Sequence, residues 1–355
     1  MTTIYLIRHA EAEGNLYRIV QGNRDSALTD RGWRQVHALE RRFAGVTIDA
    51  VYTSDLYRAR ATATAVSKPR GLSAQGVPDL REICVGEWEG LTFGEIARRD
   101  AQMLENFGKR MEEWRVAGAE TPQGVLDRAW KFVSRVAAEN DGKTIAVVSH
   151  GYILRLLLSK VEGMTLAETG NVPHGDNTAV SLLEYDGGAF RLVYRDDNSH
   201  LKTEEYLKGE KTKKRKNALE TGLWFRELSP DAPLFAELGA EAVHAVGGSF
   251  DRERLSAGAE GRVTLAAFLG DAPAGLVQFD PASGRVSILY LREAYRRKGM
   301  GIQLVGQAVV RTRASGGTRI QSPAPPDIAP FFAAYGFTPC DGRDAWEKDI
   351  RIPEL

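Results

Sequence analysis

Short apolar runs alternate with stretches of three-and-four spacing along the first part of this chain. Ile4 to Ile7 (IYLI), Ile48 to Thr53 (IDAVYT) and Thr144 to Val148 (TIAVV) have the length and β-branched content of buried strands. Between the first two, Trp33, Val36, Leu39 and Phe43 recur at helical spacing, with Thr29 or Asp30 placed to cap. An Ala-rich, helix-prone run follows Ser54, a further plausible cap. Residues 91–142 read as helices, with Trp114, Val125, Ala129, Phe132, Val133 and Val136 supplying apolar faces, and Tyr152 to Leu158 as another. Ala179 to Tyr185 and Phe190 to Tyr194 flank Asp186-Gly187-Gly188, a hairpin signal. Such alternation predicts an α/β fold with a mostly parallel sheet.

The pattern then restarts. Trp224 to Leu228, Val263 to Leu269, Gly275 to Asp280 and Arg285 to Leu291 read as strands, followed by a helix over Ile302 to Arg313. A chain of 355 residues is long for one domain. The division expected is 1–205 and 222–355, each half closing its own core, joined by a connector at 206–221. The run KGEKTKKRKN falls there, and such charge runs are usually solvated.

Composition narrows the function. Lys plus Arg number 47 and Asp plus Glu 47, so no global field favours nucleic acid or an anionic membrane. The basic run is short and lacks the interleaved aromatics of a nucleic-acid groove. Two cysteines, Cys84 and Cys340, stand far apart without metal-ligand spacing, which suits a reduced compartment. No basic-then-apolar leader and no apolar run of membrane length is present, so the expectation is a cytoplasmic protein with neither membrane nor nucleic-acid partner.

The candidate chemistry sits where strands run out. Arg8 and His9 follow the first strand, and Ser149-His150-Gly151 follows Thr144 to Val148. Ligands of open parallel sheets bind beyond the carboxyl ends of the strands. A guanidinium and an imidazole there offer an anion clamp and a nucleophile. Arg58 and Arg60 are both candidates for a further phosphate ligand; two apart on a helix, they face differently. Glu82, Glu87 and Glu89 are candidates for a general acid, which a poor alkoxide leaving group requires.

The stretch RHAE with Asn15 resembles the R-H-G-E-x-x-x-N signature of the histidine phosphatase superfamily, the phosphoglycerate-mutase-like fold, with Ala10 at the usual Gly. Leu28, Thr29, Gly32 and Gln35 match its LT-x-x-G-x-x-Q stretch, and Ser149-His150-Gly151 its second histidine element. The resemblance spans roughly residues 1 to 205 and implies a three-layer sandwich. It also implies His9 as nucleophile and Glu82 as acid. Arg8, Arg58 and His150 become the phosphate ligands, joined by Asn15, Gln21, Gly22 and Gly151 as substrate contacts. No metal or cofactor is implied for this half, and the substrate is a small phosphorylated metabolite. The family pattern thus selects Arg58 over Arg60 and Glu82 over its neighbours. Its W-E-G element, here Trp88-Glu89-Gly90, is closer to the phosphatases than to the mutases, the alternative phosphoryl-transfer activity.

In the second half, Tyr295 to Gly301 (YRRKGMG) links a strand to a helix, a setting in which backbone N–H groups meet a pyrophosphate at the positive end of a helix. A dinucleotide fingerprint would need glycine where Leu304 stands, and no Gly-Lys-Ser/Thr of a P-loop occurs. The loop resembles motif A of the GNAT N-acetyltransferases through Arg296, Gly299 and Gly301. The segment Phe331 to Phe337 resembles their F-Y-x-x-x-G-F element. This implies a smaller α/β (α+β) acyl-CoA-binding domain, acetyl-CoA as co-substrate and an amine as acceptor. Leu291, Arg296, Arg297, Gly299, Met300 and Gly301 would be the cofactor contacts. Phe332 replaces the Tyr that often serves as general acid there, so an acetyl-CoA-sensing regulatory module is the alternative.

Overall fold

The computed structural model describes residues 1–208, 222–245, 261–323, 328–341 and 345–355. The basic run expected as a connector lies almost wholly outside these residues.

The first half runs β1 (Thr2–Arg8), α1 (Glu13–Tyr17), α2 (Asp30–Phe43), β2 (Ala50–Ser54), α3 (Tyr57–Ser67) and β3 (Ala74–Val77). It continues through α4 (Phe93–Arg99), α5 (Ala101–Lys109), α6 (Pro122–Glu139), β4 (Thr144–Ser149), α7 (Gly151–Val161) and α8 (Leu166–Thr169). The hairpin β5 (Val180–Asp186) and β6 (Ala189–Asp197) and the short α9 (Glu204–Lys208) complete it. Sheet order is β3-β2-β4-β1-β5-β6. The first four strands are parallel, and the hairpin adds antiparallel to β1. Strand β1 pairs Arg8 with Ser149 of β4, so Arg8 and the residue before His150 end level. Buried side chains of α2 and α3 cover one face of the sheet, and those of α6 and α7 the other. This is a phosphoglycerate-mutase-like three-layer sandwich. Thr29 caps α2, its Oγ1 accepting from the Gly32 N–H at 2.9 Å.

The second half is built on a seven-stranded sheet. It runs β7 (Trp224–Glu227), α10 (Pro233–His244), β8 (Val263–Leu269), β9 (Ala272–Asp280) and β10 (Arg285–Leu291). After these come α11 (Gly301–Ala314), β11 (Arg319–Pro323), α12 (Ala329–Ala334), β12 (Thr338–Pro339) and β13 (Ala345–Asp349). Neighbours are antiparallel except β10 and β11, which are parallel and meet at a single register, Arg285 with Gln321. No further register is paired between the two strands, and β10 leads into the Arg296–Gly301 loop.

The halves interlock, which the apolar pattern does not announce. Tyr17 and Ile19 are buried in the core of the second half, with Leu223, Val277, Leu304 and Val305. A Cβ on Gly306 of α11 would lie 2.4 Å from the Tyr17 ring, so the backbone must be bare there. Arg313 Nη1 and Nη2 each donate to a different Glu13 carboxylate oxygen at 2.9 Å. Backbone also approaches backbone where Gly94 meets Gly222 and Leu223. In the other direction, Ile352 packs against the α2–α3 core. The expectation that each half closes its own core is therefore amended: the first contributes α1 to the second.

Candidate active site

Four parallel strands converge on one pocket. Arg8 ends β1, Ser54 ends β2, the segment after β3 carries Glu82, and His150 follows β4. His9 is 3% exposed and its ring centroid lies 5.1 Å from that of His150. Nδ1 of His9 is 2.7 Å from the Ala10 carbonyl oxygen, an acceptor, so Nδ1 carries the proton and Nε2 keeps its lone pair. Asn177 Nδ2 donates to the His9 carbonyl, and Thr62 Oγ1 accepts from the Ala10 N–H, fixing the loop from both sides. Asn177 carries no signal in the sequence, whereas Thr62 is the Thr of the S-x-L-x-R-A-x-x-T pattern that selects Arg58.

The cations around this imidazole are held in place by backbone oxygens rather than carboxylates. Arg58 is 1% exposed and donates from Nη1 to Arg24 O at 2.9 Å and from Nη2 to Gly22 O at 2.8 Å. Arg60 is exposed. Arg8 donates to Gly175 O, and a Cβ on Gly151 would lie 3.0 Å from its guanidinium, which explains the small residue after His150. The Nε atoms of Arg8 and Arg58 and Nδ1 of His150 are buried without a protein partner. Such clustered orphan polar atoms fit an anion that carries several oxygens. His150 Nε2 sits 2.8 Å from Ser54 Oγ. Ser54 ends β2 and does not cap α3, whose N-cap position is Leu56 with no side-chain cap bond.

Electrostatics follow from burial and from these cations. Burial, with Arg58 and Arg8 nearby, holds His9 well below its ordinary 6.5, and the same causes lower His150. Arg58 is drawn down to about 10 by burial, against the pull of Glu82. Glu82 is raised above 4.5 by burial, with Arg58 opposing. Its carboxylate accepts from the Ile83 N–H at 3.1 Å and the Tyr152 N–H at 3.4 Å. Glu89 instead ties the Asn23 N–H at 2.9 Å, and Glu87 is exposed. Of the three carboxylates only Glu82 lines the cavity.

The other residues singled out from the sequence distribute less evenly. Asn15, Gln21 and Gly22 line the same cavity. Asn15 Oδ1 accepts from the Ala12 N–H, and Gln21 accepts from Ser26 while its chain covers Gly14. In the second half Leu291, Arg296, Arg297, Gly299 and Gly301 line the cavity as well. Gly299 has φ +72° and Arg297 φ +55°, so the loop coils tightly before α11 begins at Gly301. Met300, however, turns its side chain into the core at 5% exposure, leaving only its main chain towards the loop. Phe332 is fully buried, whereas Tyr335 lines the cavity. Arg155 also lines it, 4% exposed within an otherwise apolar helix, and its place in YILRLLL was the available clue. No group of three or more His, Cys, Asp or Glu among the described residues is placed to hold a metal ion.

A buried histidine among anion-seeking cations, at the carboxyl edge of a mostly parallel sheet, defines a phosphoryl-binding α/β protein. Residues 4–198 match the histidine phosphatase superfamily (branch 1), and the chain belongs to that family. Residues 236–352 match the acetyltransferase (GNAT) domain. Adenosylcobalamin/alpha-ribazole phosphatase of Escherichia coli is 33% identical over 164 residues, 45% of this chain and 79% of that protein. Metal-independent phosphoserine phosphatase of Arabidopsis thaliana is 30% identical over 185 residues, 49% of this chain and 76% of its own. Among solved structures, Bacillus stearothermophilus YhfR superposes with a TM-score of 0.55 at 33% identity, covering 57% of this chain and all of that one.

Proposed function

We propose that the first half, residues 1–205, is a phosphomonoester phosphatase acting through a phosphohistidine, on a small phosphorylated metabolite and without a metal. The observation that carries this reading is His9: one ring nitrogen tied to the Ala10 carbonyl, the other free among Arg8, Arg58 and His150. Nε2 attacks phosphorus as the ester P–O bond breaks, and protonated Glu82 gives its proton to the departing oxygen. Glu82, now a carboxylate, takes a proton from water as that water attacks the phosphohistidine, which returns both residues to their starting states. Arg8, Arg58 and His150 hold the equatorial oxygens, where charge stays throughout, with Asn15 at the rim. The likeness to a phosphatase named metal-independent supports this division of labour. A mutase would keep the phosphoryl group for a second acceptor; the likeness to phosphatases favours water as that acceptor.

The second half, residues 222–355, joined through the connector at 206–221, binds acetyl-CoA at the Arg296–Gly301 loop and transfers acetyl to an amine. The amides around Gly299 and Gly301, at the start of the 14-residue α11, suit the pyrophosphate. Phe332 is buried, and of the two cavity-lining phenols of this half Tyr290 donates to Glu241, so Tyr335 is taken as the group that protonates the departing thiolate. The soluble cytoplasm, where both co-substrates occur, is the compartment consistent with this chemistry.

The decisive experiment traps the intermediate. Wild-type protein given a labelled aryl phosphate and quenched should carry acid-labile phosphate, and His9→Ala should carry none and hydrolyse nothing. Label remaining on His9→Ala would move the nucleophile elsewhere.

A further inference from the structure

The two centres line the same cavity. One continuous cavity of about 1890 Å³ reaches from Arg8, His9 and Glu82 to Leu291, Gly299 and Gly301. Helix α1 is its common wall. Gly14, Asn15 and Leu16 line the chamber, while Tyr17 is buried against Gly306 of α11 and Glu13 is paired with Arg313 at the end of that helix. The juxtaposition is therefore built by tight packing and a part-buried two-point ion pair, and not by loose contact between two surfaces.

We propose, resting on the phosphatase and acetyltransferase readings above, that both centres serve one substrate: a phosphomonoester that also carries a primary amine. Each end of the chamber selects one group. The cations around His9 take the phosphate, and the acyl-CoA end demands a nucleophilic nitrogen. Asp30 also lines the chamber, and supplies negative charge that an ammonium group can meet on its way to the acyl-CoA end. Asp30 stands at the junction itself, its carboxylate against Gly336 of the second half.

The chemistry balances without any redox partner. Water cleaves the phosphate ester, releasing inorganic phosphate and leaving a hydroxyl. The amine nitrogen bonds to the acetyl carbonyl carbon as the C–S bond breaks; the nitrogen loses one proton and the CoA sulfur gains one. The products are an N-acetyl amino alcohol, phosphate and CoA.

The test uses the full chain, acetyl-labelled acetyl-CoA, and two matched series of short-chain substrates: ω-aminoalkyl phosphates and alkyl phosphates of equal length. At least one aminoalkyl phosphate should be hydrolysed with a kcat/KM about tenfold or more above its amine-free twin, the scale of one charge-assisted hydrogen bond. Label should appear in the N-acetyl amino alcohol, and added unlabelled amino alcohol should dilute it little, because the molecule stays in the chamber. Equal rates in the two series, faster rates without the amine, absence of acetylated product, or full dilution by the free amino alcohol would each overturn the proposal. An aryl phosphate run alongside separates the two levels: if it too is untouched, the phosphatase reading has failed.

Discussion

Glu13 and Arg313, 300 positions apart in the chain, meet as a two-point ion pair with both N···O distances at 2.9 Å. Glu13 is 7% exposed at its side chain, and its carboxylate also accepts from the Ala27 N–H, beside the loop that holds Arg58. The pair thus links the far end of α11 to the loop whose Gly22 and Arg24 carbonyls hold Arg58.

Arg313→Ala leaves that carboxylate buried without its cation. The expected loss is about 2 kcal/mol of stability in urea unfolding, the scale for removing hydrogen bonds to a charged group. A rise in KM for an aryl phosphate should accompany it as α1 loosens around Asn15. Replacing both partners with Glu13→Gln and Arg313→Met should cost clearly less than the single change. Equal melting of wild type and Arg313→Ala would show that the ion pair holds nothing.

Glu82→Gln should retain phosphate binding and lose rate selectively. General-acid help matters most when the departing oxygen is basic, so alkyl phosphates should slow by about 10²–10⁴-fold and nitrophenyl phosphate by much less. The ratio of the two losses is the measurement. A common factor for both substrates would take the acid role away from Glu82.

The pH profile follows from the two shifted groups. In the proposed mechanism His9 attacks as the neutral imidazole, and its pKa is pushed well below 6.5, so activity should be lost on acidification only below that pH. Glu82 must be protonated to act as acid, and its pKa is raised above 4.5, so activity is lost as pH rises through that raised value. For an alkyl phosphate, kcat/KM against pH should be bell-shaped, and Glu82→Gln should remove the alkaline limb alone. An acid limb centred at or above 6.5 would contradict the environment described for His9.

Gly299→Asp should abolish acetyl-CoA binding in calorimetry while circular dichroism remains that of wild type. Its φ of +72° is tolerated by aspartate better than by most residues, so the main effect is a carboxylate facing the pyrophosphate. Affinity that survives would remove the loop from the cofactor site.

Much of this architecture was legible in the sequence because it rests on local signals. The strand runs at Ile4 to Ile7 and Thr144 to Val148 lie within β1 and β4, and the polar residues that follow them reach one pocket. Arg58 and Arg60 were inseparable by helical spacing alone, because which face is covered depends on the loop bearing Gly22 and Arg24, far off in sequence. Likewise Met300 lies between two loop glycines, and only packing shows its side chain in the core. The interlocking of the halves left the faintest trace. Leu16, Tyr17, Ile19 and Val20 are apolar, yet α1 has only five residues, too few to show a period, and the partners that bury it come hundreds of residues later.

That long-range partnership sets an order of events during synthesis. Chains leave the ribosome N-terminus first, and N-terminal units generally fold first. Here the sheet bearing His9 can assemble as soon as β4 and β5 have emerged. Tyr17 and Glu13 must wait for Gly306 and Arg313, which are translated near the end. Until then α1 lacks the side chains that bury it in the full chain. The last quarter of the chain thus completes the packing of a helix laid down in its first twenty residues.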